Sequence, residues 1–462
     1  MISRAALHGS RGAQAAVGAR ALSSGTEWFP SVHPIKFAGP DSKDPLSFKH
    51  YNASQVVMGK TMADWCRFSV CWWHSFRAAG ADPFGSPTIA RAWDDGTETI
   101  ENATRRVDAA FEFFVKLGVP FYTFHDVDVT PLGRDLAEFN ANFDRMQEVL
   151  AAKQAETGVQ LLWGTANLFS HPRYMNGGMT SPDFGVFARA GAQVRKAMTV
   201  THELGGSNYV FWGGREGFQT ILNTRPRQEL EQAAAFLRMV VKHKQDIGAE
   251  YQLLIEPKPR EPMKHQYDYD AQTVIGFLHQ HDLQDHFKVN VEPNHTTLAG
   301  HSYEHDIIMA SQLGMLGSID ANTGDELLGW DTDQFPSNVR QATLTMDAVV
   351  AQGGLAPGGL NFDCKVRRES TDPADLFIAH IGAMDTFARG LKAAAAMRED
   401  GAMSSLRAQR YASWDTDAGR RAMAGELTLD DLERIALEGP AAEAGTASGK
   451  QELYEMELSR FV

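Results

Sequence analysis

Along the chain, short apolar runs alternate with longer stretches in which apolar residues recur every three or four positions. Eight runs stand out: Phe68–Trp73, Pro120–Phe124, Gln160–Gly164, Tyr209–Trp212, Gln252–Ile255, Lys288–Val291, Met315–Ile319 and Gly359–Phe362. Several are hydrophobic throughout, as strands of a parallel sheet buried on both faces must be. The stretches between them carry Ile100, Ala103, Val107, Phe111 and Phe114, then Leu136, Phe139, Phe143, Met146 and Leu150, then Phe187, Ala190, Val194 and Met198. Such spacing puts the apolar side chains on one stripe of a helix. Successive strand-then-helix units predict a parallel sheet, and eight of them close into a barrel. An open doubly wound sheet explains the count less well. The expected fold is therefore α/β, a (β/α)8 TIM barrel with a C-terminal helical extension.

A helix starting near Pro373 completes the eighth unit, which sets the barrel at residues 67–395 and a C-terminal helical arm at 396–462. That arm is rich in Ala, Arg, Glu and Met and is interrupted by Gly439–Gly449. It is too small to bury much surface alone, so it is expected to lie on the barrel or on a neighbouring subunit. Residues 27–66 form an N-terminal extension with Pro34, Gly39, Pro40 and Pro45. Residues 1–26 contain Arg4, Arg11 and Arg20 and no acid, the composition of an organellar transit peptide. The expected address is the mitochondrial matrix, with the cytoplasm as the alternative.

Composition removes several function classes. The net charge of −14 disfavours the phosphate-driven electrostatics of nucleic-acid binding. No apolar run approaches the roughly 18 residues of a membrane span. Cys66, Cys71 and Cys364 lack the spacing of a disulfide framework or zinc site and read as buried thiols. Gly59-Lys60-Thr61 lacks the first glycine of a phosphate loop, and His202-Glu203 lacks the second histidine of a zinc-protease helix.

Reactive groups of a barrel stand at the C-terminal ends of its strands. Read in order, those positions hold Trp73, His125, Asn167 with Phe169, Trp212, Glu256 with Lys258, Glu292 with His295, Asp320 and Asp363, and Asp331 and Asp333 follow the seventh strand. An isolated acid would read as a solvated loop residue. Carboxylates delivered to one rim by separate strands repel one another unless a cation holds them. Oxygen ligands with a single imidazole suit Mg²⁺, Mn²⁺ or Co²⁺, and seven ligands suit two ions better than one, with Glu292 able to bridge. His125 can exchange a proton near neutrality with Asp128 fixing its tautomer. Lys258 can polarise a carbonyl oxygen. Trp73, Phe169 and Trp212 can wall a sugar-sized pocket, whereas Trp163, inside its strand, reads as core.

The segments Trp163–Asp183, Tyr209–Gly217 (YVFWGGREG), Glu292–His301 (EPNHTTLAGH), Gly329–Pro336 (GWDTDQFP) and Gly358–Asp363 (GGLNFD) resemble xylose isomerases of the longer class with an N-terminal extension. The resemblance spans about Tyr51 to Leu391. It implies an aldose–ketose isomerase that converts xylose to xylulose, and glucose to fructose, by ring opening and a hydride shift from C2 to C1. By that resemblance His125 and Asp128 assist ring opening and Lys258 lies near O1. Glu256, Glu292, Asp320 and Asp363 hold one divalent cation, and Glu292, His295, Asp331 and Asp333 hold a second. Phe84, in Asp82-Pro83-Phe84-Gly85, matches the phenylalanine that family members insert into a neighbouring subunit's site, which implies a homotetramer. Pro293, Thr323 and Gly178-Met179 depart from the family pattern without removing a ligand. Two other readings are a metal-dependent phosphodiesterase of the barrel endonuclease type and a non-catalytic sugar-binding protein.

Overall fold

The computed structural model describes residues 25–439 and 448–462. The leader expected over residues 1–26 lies almost wholly outside the described residues. Eight strands form a closed barrel in which every neighbouring pair is parallel. They are β1 (Phe68–Cys71), β2 (Phe121–His125), β3 (Gln160–Thr165), β4 (Asn208–Trp212), β5 (Gln252–Glu256), β6 (Phe287–Val291), β7 (Leu316–Asp320) and β8 (Leu360–Phe362). Each follows its predecessor around the ring, and β8 pairs with β1. The expected TIM barrel is what the chain forms.

The helices α1 (Ile100–Leu117), α2 (Leu136–Thr157), α3 (Phe184–Glu203), α4 (Pro226–Asp246), α5 (Ala271–Gln280), α6 (His305–Gln312), α7 (Val339–Ala351) and α8 (Pro373–Asp400) follow the strands. Period-two alternation decides what each strand shows its helices. Tyr122 and Phe124 of β2 meet Phe114 of α1 and Phe143 of α2, while Phe121 packs with Leu162, Trp163, Val210 and Leu254 in a separate apolar cluster. Thr123 instead donates to Asn361 across the sheet at 2.9 Å. Gly118 and Gly158 end α1 and α2 at φ +79°, a left-handed turn open to glycine, and return the chain to the sheet.

α8 runs unbroken to Asp400, so a domain boundary at 395 falls inside it. Of the later helices, Ala402–Tyr411, Asp417–Met423 and Leu429–Glu438 bury no side chain. The last, Gln451–Ser459, buries Leu458 and is tied back by Glu455 to Arg340 at 2.6 Å. No helix among the described residues is long and apolar enough to cross a membrane.

A buried histidine of this scaffold couples stability to pH. His380 of α8 is enclosed by Phe113, Phe335 and Phe362, with Nδ1 2.8 Å from the Leu376 carbonyl. Burial pushes its pKa down to about 4, against an ordinary value of 6.5. Below pH 6.5 the unfolded chain takes up a proton that the folded chain refuses, so stability falls as pH drops to about 4. The loss is about 3 kcal/mol at 1.36 kcal/mol per pKa unit. Urea unfolding at pH 7 and pH 4.5 is expected to show this acid loss in the wild type and a smaller one in His380→Phe. Equal pH dependence in the two proteins would refute it.

Candidate functional site

The C-terminal ends of the strands enclose a cavity of about 580 Å³. Because all eight strands point the same way, their C-terminal ends share this mouth. Glu256 and Asp320 are the last residues of β5 and β7, and Glu292 and Asp363 follow β6 and β8 directly. Glu256, Glu292, Asp320 and His295 are all buried. Amide side chains position them. Asn290 Nδ2 donates to Glu256 at 2.9 Å and to Asp320 at 3.0 Å, and Asn361 Nδ2 donates to the other Asp320 oxygen at 2.8 Å. Asn322 Nδ2 donates to Glu292 at 2.6 Å and to the Asp363 carbonyl at 3.1 Å.

Ligand atoms of Glu292, Asp320 and Asp363 lie within 4.8 Å of one another, as do those of Glu292, Asp331 and Asp333, and those of Glu256, Glu292 and His295. Glu292 belongs to all three groups. His295 Nδ1 lies 3.0 Å from the Pro257 carbonyl, which accepts its N–H. Nε2 is then turned toward Asp331 Oδ2 at 2.9 Å and Glu292 Oε2 at 3.2 Å. With a proton on Nε2 it donates to these carboxylates, and without one it joins them as the donor set of a cation.

The electrostatics agree. Burial, then Asp320 and Asp363, push the Glu256 pKa well up; burial, then Asp331 and Asp363, do the same to Glu292. Burial and Asp363 raise Asp320 to about 7. Asp331 is also buried, but Lys258, with Nζ at 2.7 Å, and His295 outweigh that and hold it well below the carboxylate range. Asp333 adopts φ +44°, and its Oδ2 meets Lys365 Nζ at 2.7 Å and His74 Nε2 at 3.1 Å. A hard divalent cation fits a rim that holds its own carboxylates partly protonated.

Beside the acids, His125 Nδ1 lies 3.1 Å from Asp128 Oδ2, which also accepts the His125 backbone N–H at 2.8 Å. The imidazole stands edge-on between Trp73 at 4.4 Å and Phe169 at 5.4 Å, and Phe169 in turn meets Trp212 at 4.5 Å. Lys258 Nζ lies 5.2 Å above the Trp212 ring and 3.3 Å from Glu261. Phe84, expected in a neighbouring subunit's site rather than in its own, does not line this cavity. It is 87% exposed and borders a second cavity of about 490 Å³ that shares Glu261, Asp331 and Lys365 with the first.

Sequence reasoning missed several participants. His74 Nε2 bridges Asp333 and Asp363 at 3.1 Å each, and these two carboxylates outweigh its burial and raise its pKa to about 9. Lys365, Glu261 and the amides Asn290, Asn322 and Asn361 were also unread. The usable signal was a polar residue two positions before a strand-end acid, as Asn290 stands before Glu292 and Asn361 before Asp363, on the same face of an otherwise apolar strand. Trp163 is buried as expected but also lines the cavity.

A closed parallel barrel with acids, an imidazole pair and an aromatic wall at its mouth defines an enzyme of the TIM-barrel class. Residues 132–327 match the family described as Xylose isomerase-like TIM barrel, and residues 407–462 match the XylA2 C-terminal domain. The chain is 54% identical over 436 residues to Xylose isomerase 1 of Xanthomonas campestris pv. campestris (strain 8004), covering 94% of this chain and 97% of that protein. It is 53% identical over 440 residues to Xylose isomerase 1 of Xanthomonas axonopodis pv. citri (strain 306), covering 94% and 98%. The chain belongs to the xylose isomerase family and is a sugar isomerase.

Proposed function

We propose that the chain interconverts D-xylose and D-xylulose, and also D-glucose and D-fructose, using two divalent cations. The observation that carries this reading is Glu292 lying within ligand distance of two acid sets beside a sugar-sized, aromatic-walled cavity. Glu256, Glu292, Asp320 and Asp363 would hold one cation, and Glu292, His295, Asp331 and Asp333 the other. Mg²⁺, Mn²⁺ or Co²⁺ bound there would polarise the sugar's oxygens.

The chain's own groups do the rest. Asp128 holds Nδ1 of His125, so the proton exchanged during ring opening is handled at Nε2. Lys258, kept charged by Asp331, offers its ammonium to the carbonyl oxygen at C1. Trp73, Phe169 and Trp212 keep water from the carbons between which hydride passes, C2 to C1. The longer-class assignment fits the arm after residue 395, and residues 27–66 and 67–395 would be extension and catalytic barrel. Exposed Phe84 and an arm with bare Leu429 and Leu437 support a homotetramer in which Phe84 reaches a neighbouring site. The relatives are Xanthomonas proteins and lend nothing to a mitochondrial address; the cytoplasmic alternative is the one consistent with them.

Incubation of xylose with the protein and Mg²⁺ or Mn²⁺ should yield xylulose, and its absence would sink the reading. In His125→Asn, kcat should fall about 10²-fold with KM little changed, the usual size of a general acid–base contribution. An unchanged kcat would remove His125 from the mechanism.

A further inference from the structure

A second group of metal-binding side chains lies apart from the barrel mouth, where the start of α6 meets the start of α5. His301 and His305 stack with ring centroids 3.9 Å apart and planes 14° apart. His301 Nε2 lies 3.0 Å from Asp270 Oδ2, and His305 Nδ1 lies 2.8 Å from Asp306 Oδ1. Ligand atoms of His301, His305 and Asp306 all fall within 4.8 Å of one another. None of these four side chains lines the 580 Å³ cavity.

The carboxylates are held by backbone. Asp270 Oδ1 caps α5 by accepting the Thr273 N–H at 2.8 Å, and Asp306 Oδ2 accepts the Ala271 N–H at 3.0 Å. The Tyr269 hydroxyl donates to the Ala299 carbonyl at 3.0 Å, joining the same two segments. Both imidazoles are about a quarter exposed, so an ion can reach them from solvent. A neutral imidazole keeps one nitrogen lone pair for a ligand.

Two nitrogens and an oxygen are the donors of zinc-like ions, whereas Mg²⁺ seeks six oxygens. Bonds of about 2.0–2.2 Å put tetrahedral donors roughly 3.4 Å apart, so the group closes on an ion by small rotations of exposed rings. Asp270 then stands where metal-bound histidines find the carboxylate that accepts their other N–H.

We propose that His301, His305 and Asp306 form a transition-metal site, taking Zn²⁺ or a similar borderline cation in preference to Mg²⁺, with Asp270 orienting His301. The ion would sit on the segment that follows the short helix Pro293–Leu298, which carries His295, and Asp270 links it to the start of α5.

The test uses the full-length protein kept in millimolar Mg²⁺ and dialysed against micromolar Zn²⁺, with bound metal counted by mass spectrometry. The wild type should retain one more Zn²⁺ per chain than the His301→Asn/His305→Asn double variant, while both keep the same Mg²⁺-supported activity. Equal counts, whether because Zn²⁺ only replaces Mg²⁺ at the barrel mouth or because none binds, overturn the proposal. If the double variant fails to fold, His305→Gln alone should weaken Zn²⁺ binding at least tenfold in a calorimetric titration, and unchanged affinity overturns the proposal equally. The metal count does not depend on xylose turnover, so failure here leaves the isomerase reading untouched.

Discussion

Glu292→Gln is expected to lower kcat for xylose isomerisation by about 10³-fold, about 4 kcal/mol of transition-state stabilisation, and to weaken binding of both cations together. The paired loss is what singles out Glu292. It is the only carboxylate common to the group with Asp320 and Asp363 and the group with Asp331 and Asp333 among the described residues. Glutamine keeps the shape: its oxygen can still accept from Asn322, 2.6 Å from Glu292 Oε1 now, and its NH₂ can donate to His295 Nε2, 3.2 Å from Oε2. The substitution therefore removes a charge and little else. In the metal-free protein that charge is unfavourable, since burial, Asp331 and Asp363 all oppose it. Metal-free Glu292→Gln should thus melt higher than metal-free wild type while gaining less from added Mn²⁺. Loss of only one cation by calorimetry, or a lower metal-free melting temperature, would contradict the bridging role.

The barrel was legible because its strands are nearly continuous apolar runs, a pattern that local sequence carries without help from tertiary contacts. The strand-end acids were legible for the same reason, since a charged residue closing such a run has one place to go. What stayed hidden depends on meetings between distant segments. His74 lies one residue past Trp73, inside a π-helical turn, and nothing local aims it at Asp333 and Asp363. Lys365 and Glu261 find Asp333 and Asp331 only because loops after β8, β5 and β7 converge. The Glu261 carboxylate accepts the Asp331 backbone N–H at 2.8 Å and so positions that loop. Pro293 is accommodated by the backbone. It occupies the first turn of the helix Pro293–Leu298, where a missing N–H costs nothing.

Stripping the cations with a chelator is expected to abolish turnover and to lower the melting temperature by roughly 10 °C, an effect that Mg²⁺ or Mn²⁺ restores. A ligand at a thousand times its dissociation constant stabilises the folded state by about 4 kcal/mol, and in a chain of this size each kcal/mol moves the midpoint by about 2–4 °C. The dependence on pH distinguishes this site from incidental surface binding. Carboxylates whose folded pKa is raised stay protonated in the folded protein after the unfolded chain has released its protons. The contribution of these carboxylates to metal-free stability is then greatest below the ordinary carboxylate range and is lost as pH rises toward the folded values, about 7 for Asp320 and well above the ordinary range for Glu256 and Glu292. Bound cations cancel that repulsion, so the gap in melting temperature between loaded and stripped protein should widen from pH 5.5 to pH 8. Surface carboxylates that gather a cation loosely would be ionised across this whole interval and would give a gap that does not change. A constant gap, measured by calorimetry at both pH values, would therefore mean that the stripped rim is not the strained cluster of acids that its burial requires.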